Sequence, residues 1–439
     1  MKSAPKPSIL PILAVNFVGT LGFSIVLPFL VFLVVRLGGN SLVYGVVGAT
    51  YSVFQLVGAP ILGRWSDRVG RKKVLLVSQL GTLASWGIFL LALTLPLTTL
   101  ASVDSPILGQ FTLTLPLAFL FLSRALDGLT GGNVSVANAY LADITTEADR
   151  SRNFGRLAVA SNLGFILGPT LAGLLGATAA GERLPVLAAF LISIVATLII
   201  LIALKDPEPC VLKENPEPPS VRDVLGGDQK DCYRIESGDT LSTREILALP
   251  SVGRLLGVQF LVFLAFNFYY VAFPLYASTT LAWSLAQVGI YFAVMSLLMA
   301  LVQGPVLSFA SRRVDNRTLV LVGSLLLAAS FTLFTSASTR VIYAGAALLA
   351  LGNGVMWPSL LALLSSSTER ELQGTVQGLS GSFGALASIA GLVLGGALFQ
   401  AVGSRVFLLA AMVAVGVALV SARISAPVAP SAGMPRASA

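Results

Sequence analysis

The segment LPVLAAFLISIVATLIILIAL, residues 184–204, contains no charged side chain. An α-helix needs about 20 mostly apolar residues to cross the roughly 30 Å hydrocarbon core of a bilayer. This segment therefore predicts a membrane-spanning helix, and windows of the same length can be sought in the rest of the chain.

The chain as a whole shares this apolar character. Of its 439 residues 55% are hydrophobic and only 11% are charged, and the mean hydropathy is +0.86. A soluble protein of this composition would expose too much apolar surface to water. We predict an all-α, polytopic membrane protein with twelve transmembrane helices, at 9–35, 42–62, 74–96, 113–140, 155–177, 184–204, 254–278, 285–309, 317–336, 341–363, 373–399 and 405–424.

A polar, proline-containing stretch after Leu204 divides the spans into two groups of six. A weak internal repeat supports this division, because TTEADRSRNFGRL follows the fourth span and STERELQGTVQGL follows the tenth. Such repeats are typical of secondary transporters. The predicted units are an N-terminal six-helix bundle (1–204), a cytosolic linker (205–250), a C-terminal six-helix bundle (251–424) and a disordered cytosolic tail (425–439), the two bundles being pseudo-symmetric.

The basic residues predict the orientation of the spans. Of the 28 Lys and Arg residues, 23 lie in segments on one side of the predicted membrane, which the positive-inside rule assigns to the cytosol together with both termini. The net charge of +8 is then explained by a basic surface beside anionic lipid, without a nucleic acid partner. No cleavage site follows the first apolar stretch, so we expect that span to be retained.

The loop GRWSDRVGRKK, residues 63–73, combines two glycines with one acid and five bases. It resembles the major facilitator superfamily, whose pattern in this loop is G-x-x-x-D-R-x-G-R-[KR]. The pattern is matched by Gly63, Asp67, Arg68, Gly70, Arg71 and Lys72. The plainer interpretation is a short basic loop that obeys the positive-inside rule.

The resemblance implies a gating role for this loop. In the family its acid docks on the start of span eleven and its second arginine pairs with an acid that ends span four. Here that implies Asp67 near Gln373–Thr375, and Arg71 with Asp143. Both contacts are expected to hold the cytosolic side closed and to break when it opens.

Span four carries a charged pair, Arg124 and Asp127. A charge at bilayer depth costs about 2.5–3.5 kcal/mol on insertion scales, and such residues are usually functional. The resemblance adds that R-x-x-x-G in this span, here Arg124 and Gly128, is tied to proton coupling. Asp127 would carry the proton and Arg124 would control its release. The alternative is a structural ion pair at spacing i, i+3.

Span five reads GFILGPTLAGLLG from Gly164 to Gly176. Glycines at this spacing let helix backbones approach closely, and a proline bends the helix. The string resembles the G-x-x-x-G-P-x-x-x-G motif of the antiporter branch, matched by Gly164, Gly168, Pro169 and Gly173. The chain as a whole resembles the twelve-span drug–proton antiporters, including tetracycline-exporter-like members.

This sequence departs from those exporters in its intramembrane charges. Many of them carry an acid in span one, where this chain has Asn16. No acidic residue lies within a predicted span of the C-terminal half, and the chain contains no histidine. If transport is proton-coupled, it rests on very few groups.

A substrate site in this architecture is expected near the midplane between the halves, mostly apolar with a few polar groups. The plainer interpretation of each such residue is packing of helix on helix. The candidates are Asn16, Thr20, Phe23, Tyr51 and Gln55 in spans one and two, and Gln259, Phe263, Phe266, Tyr270, Tyr291, Met295, Asn353 and Trp357 in spans seven, eight and ten.

The residue inventory predicts a transporter rather than an enzyme. Without histidine, metal clusters and histidine-based catalysis are not expected, and no glycine-rich phosphate loop appears, so we expect no cofactor and no ATP-driven transport. The expected partners are a small-molecule substrate, protons and the lipid bilayer, with the protein a monomer in the plasma (bacterial inner) membrane. The predicted function is proton-coupled export of a small amphiphilic compound by alternating access. The alternatives are a uniporter or symporter of a metabolite, or a transport-inactive scaffold or receptor.

Overall fold

A computed structural model describes residues 8–26, 29–106, 108–131, 133–145, 147–205, 245, 247, 249–367 and 373–423. Most of the predicted linker and the whole of the predicted tail lie outside these residues. Their predicted structure therefore stays a prediction.

Apart from one β-hairpin, the regular structure of the described residues is helical. The first half contains α1 (Leu10–Ser24), α2 (Leu30–Arg36), α3 (Ser41–Val69), α4 (Arg71–Ala92), β1 (Thr99–Ser105), β2 (Gly109–Thr114), α5 (Leu115–Thr130), α6 (Asn133–Ile144), α7 (Glu147–Gly176) and α8 (Arg183–Ala203). The second half contains α9 (Pro250–Thr279), α10 (Leu285–Leu301), a π turn (Val302–Val306), α11 (Leu307–Ala310), α12 (Asn316–Leu333), α13 (Thr339–Ser366), α14 (Gln373–Val402), a 3-10 turn (Gly403–Arg405) and α15 (Val406–Ser421).

Each of the twelve predicted spans contains helix, although not all are continuous. Among the described residues, 9 helical stretches are long and apolar enough to cross a membrane, and one of these, Leu379–Ser421, covers both of the last two predicted spans. The first and fourth predicted spans are missing from that set because each is divided into two shorter helices.

The two divided spans correct the predicted windows 9–35 and 113–140. The first is split into α1 and α2, and Pro28, which lacks a backbone N–H, lies in the sequence between them. The fourth begins later than predicted, because Thr114 ends β2 and its side chain accepts a hydrogen bond from the backbone N–H of Leu117 as the cap of α5. It is then divided after Gly131, beyond which α6 continues to Ile144.

The pattern of helix contacts is the same in the two halves. In the first half α1 packs on α7 and α8, α3 on α5, and α4 on α5 and α8. The corresponding contacts in the second half are α9 with α14 and α15, α10 with α13, and α12 with α13 and α15. Among the described residues, the halves meet mainly through two helix pairs, α3 with α14 and α7 with α10, with smaller contacts of α9 on α2 and α3.

Glycines make the contacts between the halves very close at one end of the molecule. A Cβ added to Gly45 would collide with the backbone of Leu392, and one added to Gly173 would collide with the backbone of Gly289. Gly396 likewise packs on the backbone of Ser41. This end, which carries the hairpin, is called the hairpin face below, and its glycines let the helices of the two halves touch backbone to backbone.

The opposite end, called the basic face, carries the loop 63–73. Here α3, α7, α14 and the π turn that follows α10 have glycines with open space beside them: no described atom lies within 4 Å of a Cβ added to Gly63, Gly155, Gly304 or Gly381. Among the described residues, the halves are therefore closed against each other at the hairpin face and apart at the basic face.

Candidate functional site

Arg124 and Asp127 form a buried ion pair on α5. Arg124 Nη2 lies 2.7 Å from Asp127 Oδ2, and only 3% and 6% of the two side chains are exposed. The spacing i, i+3 places both on the same face of the helix, and the cap at Thr114 fixes where that helix starts. The pair was predicted to lie at membrane depth, and the structure buries it inside the first half.

Aromatic rings surround the guanidinium of Arg124. Its Cζ lies 5.7 Å from the ring centroid of Tyr51, 5.3 Å from that of Trp86 and 5.9 Å from that of Phe89. The electron-rich faces of such rings attract a cation and replace part of its hydration. This arrangement holds the arginine in place without a second acid.

A cavity of about 240 Å³ lies next to Asp127. It is smaller than the roughly 300–1,000 Å³ typical of drug-sized sites, so it has room for one end of a larger compound. All its lining residues belong to the first half: Val18, Gly19, Thr20, Gly22, Phe23, Tyr51, Gln55, Gln79, Thr82, Trp86, Asp127, Gly131, Ser161, Phe165, Ala189, Ile192 and Ser193.

Four of the five substrate-site residues predicted in the first half line this cavity: Thr20, Phe23, Tyr51 and Gln55. The fifth, Asn16, donates hydrogen bonds from its amide to the side-chain oxygen of Ser161, which lines the cavity, and to the carbonyl of Leu157. The structure thus brings the predicted residues of the first half together around the ion pair.

The predicted substrate-site residues of the second half do not line this cavity. Tyr291 and Met295 are buried in an aromatic core, where the hydroxyls of Tyr269 and Tyr291 are 2.8 Å apart. The rings of Phe273 and Tyr291 stack at 4.1 Å between centroids, and Phe334 lies against both Tyr269 and Phe273. The apolar surfaces of these side chains are packed against one another.

The remaining predicted residues of the second half also have protein partners. The ring of Phe263 lies edge-on to Trp357 at 5.1 Å, and Phe266 lies 5.8 Å from Tyr270. The amide of Asn353 lies 3.4 Å from the sulfur of Met299. A polar or aromatic stripe on a helix is equally compatible with packing and with lining, so the sequence alone could not separate the two.

The loop 63–73 holds a positive backbone angle at one glycine. α3 ends at Val69, Gly70 has φ 106°, and α4 begins at Arg71. Residues other than glycine rarely adopt that angle, so Gly70 makes the sharp turn between α3 and α4. Gly63 instead lies inside α3, so the turn does not depend on it.

Arg71 and Asp143 are in contact, with Arg71 Nε 2.7 Å from Asp143 Oδ2. Both belong to the first half, on α4 and α6, at the face where the interface glycines have open space beside them. The expectation that opening of that face breaks the pair stays a prediction. The side chains of Asp67, Arg68 and Gln373–Thr375 lie outside the described part of the chain, so the second expected contact stays a prediction.

The glycine string of span five serves two different interfaces. Gly164 packs on the backbone of α1, and its carbonyl accepts a hydrogen bond of 3.0 Å from the hydroxyl of Ser24. Gly168 faces the same serine, and Pro169 lies in the interior of α7. Gly173, further along, meets Gly289 of the other half. The string therefore fixes α1 against α7 and also helps to close the hairpin face.

Several cavity residues were missed by sequence reasoning, notably Gln79, Thr82 and Ser193. Polar side chains inside the otherwise apolar third and sixth spans were the available signal. Among the residues that the structure describes, no group of 3 or more His, Cys, Asp or Glu side chains could hold a metal ion.

The comparisons with known proteins agree with this architecture. The sequence model of the Major Facilitator Superfamily matches residues 12–250 and 255–436. Tetracycline resistance protein, class D, of Salmonella ordonez is 28% identical over 398 residues, which are 90% of this chain and 90% of that protein. Tetracycline resistance protein, class G, of Vibrio anguillarum is 30% identical over 395 residues, covering 89% of this chain and 90% of that one.

A solved structure shows the same fold. The human organic anion transporter MFSD10 (TETRAN) matches with a TM-score of 0.65 and 23% identity, over 94% of this chain and 98% of that chain. Together with the twelve helical spans, the repeated helix contacts and the family match over nearly the whole chain, this shows that the protein is a multi-pass membrane transporter that belongs to the major facilitator superfamily.

Proposed function

We propose that this transporter is a proton-coupled antiporter that exports a small amphiphilic organic compound by alternating access. The observation that carries the proposal is the Arg124–Asp127 ion pair, which is buried beside the cavity with 2.7 Å between its charged atoms. Charges inside a membrane are costly and are kept mostly where they serve transport. Asp127 is the proton carrier and Arg124 its partner.

The pair supplies a two-state element of the kind that coupling requires. An ionised Asp127 pairs with Arg124, as in this structure. Protonation neutralises the carboxylate and removes the attraction, while the three aromatic rings still hold the guanidinium. Because the cavity opens beside the carboxylate, a substrate that enters it favours one of these two states over the other.

The closed hairpin face and open basic face fit an inward-facing state of the exporter. The positive-inside rule predicts that the basic face lies in the cytosol, so substrate enters from the cytosol. It leaves after the halves have rocked against each other, which closes the basic face and opens the hairpin face. The predicted bundles 1–204 and 251–424 are the moving bodies. We assign the protein to the plasma or bacterial inner membrane, as a monomer with both termini cytosolic.

The loop 63–73 is proposed as the gate of the basic face. Arg71 and Asp143 brace α4 on α6 inside the first half, so the loop moves as one body with that half. Asp67 then makes the contact with the start of α14 that forms only when the basic face closes.

The relatives support a drug-like substrate. Proteins named for tetracycline resistance match about nine-tenths of this chain. The cavity is aromatic with a few polar groups, which suits a compound that is part apolar and part polar.

A second candidate function is a uniporter or symporter of a metabolite in which the ion pair is structural. The three rings around Arg124 favour it, because they fix the pair in place as a packing element. A transport-inactive scaffold or receptor is the third alternative and predicts no flux of any compound.

The test is uphill transport in proteoliposomes with an imposed pH gradient, using tetracycline as the first probe and protein-free liposomes to correct for passive partition. The wild type is expected to accumulate tetracycline above equilibrium. Asp127→Asn should lose uphill accumulation, whereas Asp104→Asn, the same change at an exposed hairpin residue, should not. Uphill transport by Asp127→Asn at the wild-type level would exclude Asp127 as the proton carrier.

A further inference from the structure

Gln79 is a buried amide whose oxygen has no hydrogen-bond partner. The residue lies on α4, is 2% exposed and lines the cavity. Its Nε2 donates to Ser193 Oγ at 2.7 Å and to the Ser193 carbonyl at 3.3 Å. Its Oε1 is buried and unpaired among the described residues. A buried acceptor without a donor costs free energy, so its presence calls for a missing partner.

The neighbouring carbonyl fixes which way the amide points. A backbone carbonyl can only accept hydrogen bonds, so the nitrogen of Gln79 must face the Ser193 carbonyl. The oxygen therefore points away from Ser193. An amide turned by 180° would set two acceptors against each other.

The second half contains another buried glutamine, at a different helix crossing, that has no such vacancy. Gln259 on α9 is 3% exposed and donates Nε2 to the Ser380 carbonyl at 3.1 Å. The Ser380 hydroxyl donates back to Gln259 Oε1 at 2.8 Å. The glutamine–serine pairing at the crossing of α9 and α14 is thus complete, whereas the one at the crossing of α4 and α8 leaves an acceptor open.

The other polar groups of the cavity also present mostly acceptors. Thr20 donates its hydroxyl hydrogen to the Asn16 carbonyl at 2.7 Å, and Ser161 donates its own to the Leu157 carbonyl at 3.2 Å. Their oxygens keep lone pairs that can still accept. The Tyr51 hydroxyl, which accepts from Gln55 Nε2 at 3.0 Å, still has a hydrogen to give.

We propose that this cavity binds the N–H-bearing cationic end of an amphiphile, a protonated primary or secondary amine, and that Gln79 Oε1 accepts its hydrogen bond. Acceptor oxygens and the ring of Phe23, which is not one of the rings around Arg124, favour a cation over an anion. A cavity of about 240 Å³ has room for a benzyl-sized amine. Gln79 is thereby a residue that determines specificity, and the inference rests on this cavity being the substrate site of the proposed function.

The test compares two cations of similar shape that differ in their donors. Benzylamine carries N–H donors when protonated, and benzyltrimethylammonium carries none. Affinities for the purified full-length protein in detergent are obtained from the thermal unfolding midpoint as a function of ligand concentration. Gln79→Met should weaken benzylamine binding about tenfold, the typical loss of a hydrogen bond to a charged group, and leave benzyltrimethylammonium binding within about twofold. Gln259→Met, the matched control, should change neither.

A second variant keeps the test decisive if Gln79→Met folds poorly. Gln79→Glu retains an acceptor oxygen, so benzylamine should bind to it at least as tightly as to the wild type. The inference is overturned if the wild type binds no benzylamine saturably, if Gln79→Met affects both cations equally or neither, or if Gln79→Glu loses benzylamine selectively. Because binding is measured without a gradient, donor-selective binding in a protein that fails uphill transport would sustain this inference and refute the antiport proposal.

Discussion

The two halves of this transporter share one set of helix contacts and contain opposite kinds of interior. The first half encloses an ion pair, a cavity with a few polar groups in its lining and a glutamine with a free acceptor. In the second half aromatic rings pack against one another around Tyr269, Phe273 and Tyr291. Gln259 of the second half has both amide atoms paired.

This difference teaches that the repeat determines the architecture but not the chemistry. Glycines at two equivalent crossings join one half to the other, as Gly173 does with Gly289 and Gly396 with Ser41. The residues that fill each bundle are free to differ, because they affect only the interior of their own half. We infer that one half performs the chemistry of coupling and the other serves as a rigid wall.

The largest expected effect is the loss of one partner of the ion pair. Arg124→Met leaves Asp127 buried and unpaired, which should reduce the free energy of unfolding by about 3–5 kcal/mol. The double variant Arg124→Met/Asp127→Leu removes both charges and should recover most of that loss. Thermal unfolding of the purified proteins measures both. Equal stability of Arg124→Met and the wild type would contradict a buried, ionised pair.

A smaller effect is expected at the crossing of the two halves. The side chain in Gly289→Val would collide with the backbone of Gly173, so it should disfavour the closed hairpin face by about 1–3 kcal/mol. Gly304→Val, in the same predicted span but with no atom within 4 Å of its Cβ, is the matched control.

The opening of the hairpin face can be measured as a distance between spin labels. The labels go on Ala179→Cys and Thr280→Cys, exposed loop positions in different halves, after Cys210→Ser and Cys232→Ser have removed the native thiols. Gly289→Val should shift the distribution to longer distances and Gly304→Val should not. The same shift in both variants would mean that the crossing is not what closes this face.

In the aromatic core we expect a substitution to lower the free energy of unfolding by about 1 kcal/mol. Tyr291→Phe removes the hydrogen bond of 2.8 Å to Tyr269 but keeps the stacked ring. Transport should remain, since no coupling group is touched. Thermal unfolding and tetracycline transport check the two parts, and a loss of uphill transport with normal stability would place function in the second half as well.

The smallest effect is expected at Asp315, in the loop between α11 and α12. Hydrogen bonds from the hydroxyl and backbone N–H of Thr318 hold the pKa of Asp315 below its ordinary 3.8. The ionised carboxylate thus adds stability that is present at neutral pH and is lost as the pH falls through this lowered pKa. At pH 7 the wild type should have a slightly higher thermal unfolding midpoint than Asp315→Asn, and this difference should disappear in acid. A difference independent of pH would contradict this cap.

Much of the fold could be predicted from the sequence, because hydrophobic spans and basic loops report directly on the bilayer. The late start of the fourth span could not, since it depends on local capping by Thr114. Neither could the hairpin β1–β2. It is held by pairing between strands and by contacts such as that of Asn40 with the Leu108 carbonyl, and these are invisible in hydropathy.

The site was predictable where a residue type is costly in a membrane. Arg124 and Asp127 could be recognised in the sequence as charges within a predicted span. The structure places the polar residues of spans one and two around them. The aromatic residues of span seven gave no such signal, because a ring packs on a ring as readily as it lines a cavity. Gln79 was missed because its importance lies in a missing partner, which only the coordinates of Ser193 reveal.

The central claim is that coupling resides in the first half. Its most direct test is to measure the proton movement that accompanies tetracycline transport. Proteoliposomes loaded with a pH-sensitive dye and given no imposed gradient report proton movement when tetracycline is added outside. We predict a protein-dependent pH change with the wild type and with Tyr291→Phe, and none with Asp127→Asn. Undiminished proton movement by Asp127→Asn would contradict the account.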